Sequence, residues 1–168
     1  MSDTFMLLKA DGGAWVREIA DKDYTQFNAA IGADTGGIVR SRGLTEALMG
    51  GGGRRLFGCE SVDLWIDDEA LLKPEPKVNV MASVFAAQMI YGDVLVMLSN
   101  AGGESMGLPV EVEFWLMGVI ADLKKDGKID GIMDRIRKDH DEWMRETNGT
   151  GIKVTVWDEA DDKKGGAA

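Results

Sequence analysis

Residues 92–99, Gly-Asp-Val-Leu-Val-Met-Leu-Ser, constrain this chain more than any other stretch. Five consecutive apolar residues follow an acid and stop at a serine, and the loop sequence Asn-Ala-Gly-Gly-Glu-Ser comes next. A strand that alternates apolar with polar hides one face and wets the other. An unbroken apolar run needs cover on both faces, as a central strand has. Such a strand calls for other strands beside it and helices above it.

The N-terminal segments supply both. Thr-Phe-Met-Leu-Leu-Lys-Ala, then Asp11-Gly12-Gly13, then Ala-Trp-Val-Arg-Glu-Ile-Ala reads as strand, tight turn, strand, because glycine takes positive φ without steric cost. A helix follows, capped by Asp21 or Asp23, with Tyr24, Phe27 and Ile31 on one face and Gly32 as its stop. Residues 33–58 hold eight glycines in 26 positions. Gly-Ile-Val-Arg-Ser reads as a short strand, Leu-Thr-Glu-Ala-Leu-Met as a helical turn, and Gly50 to Gly53 as a flexible connection.

Glu-Ser-Val-Asp-Leu-Trp-Ile-Asp is rich in strand formers, and Asp67, Asp68 and Glu69 make the turn after it. Leu71-Leu72-Lys73 then begins a return strand or a cover strand. Lys-Pro-Glu-Pro-Lys is a rigid, extended break, since each proline fixes its own φ and keeps its predecessor out of helix. Asn79 caps a helix over Val80–Tyr91. Pro109 suits the first turn of another, whose face is Val112, Trp115, Leu116, Val119, Ile120 and Leu123; its β-branched start leaves a strand as the alternative. A last helix carries the stripe Ile129, Ile132, Met133, Ile136, His140, Trp143 and Met144, and Ile152–Trp157 reads as a closing strand.

The predicted fold is therefore α+β: a small mixed or antiparallel sheet with helices packed on one face, plus a C-terminal helical pair. Residues 1–157 form a single domain with a glycine-rich insertion near 32–58, and 158–168 form a disordered acidic tail.

Charge narrows the function. The chain carries a net −10. Residues 61–121 hold nine acids against two bases, so the middle third carries most of the excess. Contacts to phosphate backbones need clustered Lys and Arg, which argues against direct nucleic-acid binding. A basic protein partner fits better. Cys59 is alone, the N-terminus lacks a secretory apolar region, and no apolar run has the length of a membrane span. The expected location is the cytoplasm.

Few residues offer chemistry. Arg40, Arg42, Arg54 and Arg55 flank the glycine-rich loop and could contact a phosphate or another ligand, although no Gly-Lys-Ser/Thr is present. Asp67, Asp68 and Glu69 on one turn point in different directions, whereas acid–base work needs two carboxyls aimed at one point. With Trp65 they are candidate interface residues. His140 is the only histidine, and a zinc site built from it would have only Cys59 as a soft co-ligand. Residues 122–133 imitate a calcium loop, but Lys124 and Met133 stand where carboxylates belong. No serine sits in a Gly-x-Ser-x-Gly frame. No catalytic residue, metal ligand or cofactor is predicted. The tryptophans are expected in the core, and one exposed beside the acidic third would be an interface anchor.

Residues 63–97 resemble the bacterial and phage family called domain of unknown function 3846. The likeness lies in Asp63 to Glu69, in Pro76 to Asn79, in the alanine-rich stretch Ala82 to Ala87, and in Ile90-Tyr91-Gly92-Asp93-Val94. The glycine-rich insertion at 32–58 and the helices after residue 108 depart from the family pattern. The resemblance implies a small α+β domain of mobile elements and their hosts, with no assigned catalytic residue. The expectation is a non-enzymatic phage or mobile-element accessory protein that contacts a host or phage protein and inhibits it. A structural virion or self-assembling component and a small-nucleotide binder using the arginine-flanked loop are the alternatives, and homo-oligomers stay open.

Overall fold

The computed structural model describes residues 3–147 and 149. The expected closing strand at 152–157, Trp157 and the tail at 158–168 lie outside the described residues.

The strands are β1 (Asp3–Leu8), β2 (Ala14–Ile19), β3 (Gly36–Arg40), β4 (Ser61–Asp67), β5 (Val94–Ser99) and the short β6 (Ser105–Met106). All pairings among them are antiparallel, in the order β2-β1-β5-β4-β3, with β6 also on β5. The apolar run therefore lies in the middle of the sheet, and all six residues of β5 are buried. The α+β class and the opening hairpin are as the sequence predicts.

Alternation on the strands divides the core in two. Met6 and Leu8, Val62 and Leu64, and Val94, Val96 and Leu98 face one layer. Phe5 and Leu7, Trp65, and Leu95 and Met97 face the other. The first layer holds α2 (Arg42–Gly50), α4 (Val80–Ala86) and α5 (Val110–Lys125), with α6 (Lys128–Glu146) against α4 and α5. The C-terminal helical pair is as expected, but helices pack on both faces of the sheet rather than on one, because the unbroken apolar run of β5 leaves two faces to cover. The second layer is covered by α1 (Tyr24–Ile31), through Phe27 and Ile31. Phe27 meets Phe5 edge-on at 5.3 Å and Trp65 at 5.5 Å.

The caps explain where helices begin. Asp23 accepts from Gln26 N–H at 2.9 Å, and Asn79 accepts from Ala82 N–H at 3.0 Å. Helix α4 is shorter than its sequence suggests. Ala87 takes a left-handed φ of 54° and ends it, and its N–H donates to the last carbonyls. Leu71–Lys73 is not a return strand: residues Ala70–Leu72 form one 3-10 turn. The glycine run is also no loose connection. Gly50 closes α2, Gly52 turns the chain at a φ of 87°, and the buried Gly53 opens a short helix, α3 (Gly53–Phe57). A Cβ on Gly53 would stand 2.8 Å from the Leu48 carbonyl oxygen. The joint needs glycine there because backbone passes so close.

Candidate functional site

The arginines do not converge. Ser41 is fully buried, caps α2 and donates to Phe85 O at 2.6 Å, so Arg40 and Arg42 sit at the start of α2. Arg54 and Arg55 lie on α3, past the far end of that nine-residue helix, roughly 13 Å along at 1.5 Å per residue. Arg54 is paired with Glu60. Arg40 is engaged within the fold, where its Nε donates to Asp63 Oδ1 at 3.2 Å. Asp63 is almost wholly buried in β4, and its Oδ2 accepts from Ser61 Oγ at 3.0 Å and Ser99 Oγ at 2.6 Å. The four-arginine phosphate cradle is therefore not assembled. A groove of about 350 Å³ at the start of α2 takes only Arg40 and Arg42 from that set, beside Phe85, Ala87 and Val119.

The acidic turn separates as its geometry requires. Asp67 is turned inward, accepting from Lys73 Nζ at 2.6 Å and Glu69 N–H at 3.0 Å. The hydrogen bond it donates to Asp67 holds the Lys73 ammonium above its ordinary pKa. Lys9 is raised in the same way by Asp93, at 2.9 Å. Asp68 and Glu69 face solvent. Thus Asp63, Asp67 and Asp93, three of the nine acids that make the middle third acidic, are already neutralised by bases of this chain. Trp65 is also committed to the interior: it is buried, donates from Nε1 to Asn28 Oδ1 at 2.9 Å and stacks with Tyr24 at 5.3 Å. It is a core residue rather than an interface residue.

The exposed aromatic anchor is a different tryptophan. Trp143 on α6 is 44% exposed and lines a groove of about 440 Å³ with Ile66, Leu71, Met89, Tyr91 and His140. Leu71 and Leu72 come from the 3-10 turn directly after Asp68 and Glu69, and Leu72 is 81% exposed. Asp139 also lines the groove. The last turns of the α6 stripe thus run beyond the core, and Trp143 shares a groove with Leu71 of the 3-10 turn instead. The signal in the sequence was the length of the stripe: it continues past Ile136 through His140 to Trp143.

His140 stands 6.1 Å from the Trp143 ring, between centroids. Cys59 is buried elsewhere, with its thiol 3.7 Å from Gly53 O, and burial pushes that thiol's pKa up. Among the described residues no three His, Cys, Asp or Glu side chains gather as a metal site. No described helix is long and apolar enough to cross a membrane. What the groove offers chemically is apolar and aromatic surface with the Asp139 carboxylate in its lining, and the likeness at residues 63–97 rests on its own short motifs. No family model, no curated protein and no solved structure matches this chain.

Proposed function

We propose that this protein acts by surface contact, as an accessory factor that binds another protein through the groove between α6 and the 3-10 turn that follows the acidic residues. One observation carries the reading: Trp143 and Leu71, remote in sequence, expose apolar surface in a single groove, and the exposed Leu72 follows Leu71 directly. Tryptophan in such a setting is the residue type that most often dominates binding energy. Asp68, Glu69 and Asp139 favour a partner segment that places Lys or Arg around an apolar anchor. Inhibition of a host factor is the form such contact takes in the mobile-element setting that the resemblance implies.

The test is a photo-crosslinking amino acid at Leu72, with the exposed Leu56 as the control position. Expected is one crosslinked protein from Leu72 in host cells, lost in Trp143→Ala and weakened by high salt. No product, or the same products from Leu56, overturns the reading.

A further inference from the structure

Among the described residues the sheet has two free edges, and they are built differently. β3 begins with two glycines and ends on Arg40, which is ion-paired inward. β2 is six residues of regular strand without proline or bulge. Exposed edges are ordinarily guarded by lysine, proline or a bulge. β2 instead shows Trp15, 62% exposed, on one face and Val16, 50% exposed, on the other.

The hairpin decides which backbone groups are free. Lys9 N–H donates to Gly13 O at 2.8 Å, so these two form a bonded pair. Bonded and non-bonded pairs alternate along an antiparallel ladder. With Leu8 opposite Ala14 and Leu7 opposite Trp15, the N–H and C=O groups of Trp15, Arg17 and Ile19 point to β1. Those of Ala14, Val16 and Glu18 point outward, where no described strand lies.

We propose that a second copy of this chain pairs antiparallel with β2, Val16 opposite Val16. Ala14 then meets Glu18 of the second copy, and every outward N–H and C=O of Ala14, Val16 and Glu18 finds a partner. Trp15 falls opposite Arg17 of the second copy, at the non-bonded positions where side chains stand closest, as a cation–π pair made twice. The register one step along sets Arg17 against Arg17 and leaves Ala14 unpaired. Charge also selects a second copy. Arg17 and Glu18 cancel, so this edge is neutral on a chain of net −10.

Helix α5 extends the surface. Glu113 accepts from Thr4 Oγ1, and Lys124 Nζ donates to Gly12 O at 3.1 Å, so that flank of α5 faces the β1–β2 hairpin. Further around the helix lie Val110, Phe114 and Met117, all exposed, Phe114 at 75%. Val16 points to the same side of the sheet, being opposite Met6 of the α5-side core. This surface is distinct from the Trp143 groove, and the two proposals fail separately.

Sedimentation of the full chain over about 1–500 µM tests it, with a monomer–dimer equilibrium that persists in high salt as the expected result. Val16→Pro removes only an outward N–H, which an edge position tolerates. Val16→Lys sets like charges opposite each other. Each is expected to weaken the dimer about tenfold or more with an unchanged circular dichroism spectrum, while Ile38→Lys on the other edge leaves it intact. Under oxidation Val16→Cys links two copies and Glu18→Cys does not, since directly opposed residues have the Cα spacing of a disulfide. A monomer throughout overturns the proposal, as does a dimer indifferent to both Val16 changes. Cross-linking from Glu18→Cys instead of Val16→Cys overturns the register.

Discussion

Replacement of Asn79 tests how a single buried amide holds three segments. Its side chain is fully buried. Oδ1 accepts from Ala82 N–H at 3.0 Å and so caps α4. Nδ2 donates to Leu8 O at 2.9 Å, at the end of β1, and to Gly92 O at 2.8 Å, just before β5. In Asn79→Ala the lost cap costs about 1 kcal/mol. Each carbonyl deprived of its donor adds about 1 kcal/mol or more. The sum is about 3–5 kcal/mol, which lowers Tm by about 10 °C in a domain of this size. Urea unfolding followed by tryptophan fluorescence measures it, with an unchanged m-value as evidence that only the native state was affected. Asn79→Asp is the discriminating variant. Aspartate caps helices as well as asparagine does, but it sets a carboxylate oxygen against two carbonyls. It is therefore expected to be at least as destabilising as alanine. An Asn79→Asp protein within about 1 kcal/mol of the parent would refute the reasoning and leave capping as the residue's whole contribution.

Two further predictions concern the glycine joint and the lysine pairs. Gly50→Ala, in open space at the end of α2, is expected to stabilise by about 0.5–1 kcal/mol, and Gly53→Ala to destabilise by about 1–3 kcal/mol by crowding Leu48; a flexible run would make both neutral in the same urea assay. Lys73 and Lys9 have folded pKa values above their ordinary 10.5, so the stability that their pairs with Asp67 and Asp93 supply is complete below pH 10.5 and lost as pH rises through the folded values. Tm should accordingly fall in that alkaline range, and Lys73→Met should lower Tm at neutral pH while flattening the alkaline fall; an unchanged slope speaks against the Lys73–Asp67 pair.

Much of the fold is legible in the residues themselves, where local chemistry decides. The run at 94–98, the Asp11-Gly12 turn, and the caps at Asp23 and Asn79 are local statements, and the structure agrees with them. What escapes such a reading depends on the neighbour an element acquires. Trp65 and Trp143 look alike in sequence, yet the first lies under α1 and the second beyond the reach of the core. Asp63 shows only as a charge among apolar residues. Its partners Ser99 and Arg40 come from strands whose order no local pattern specifies. The glycine run suggests slack, because the Leu48 carbonyl that requires Gly53 is set by the packing of α2 on α3.

The position of β5 has a consequence for how the chain is made. It joins β1, which emerges first, to β4 and β3. Until residues 94–99 leave the ribosome, no strand joins the opening hairpin to the β3–β4 pair, and α1 touches both, through Phe27. At about 5–20 residues per second Phe5 and Leu7 stay uncovered on their β5 side for roughly 5–20 s, and Trp65 for roughly 2–7 s. The cell's chaperones therefore meet a hairpin and a strand pair with open apolar edges before they meet a protein.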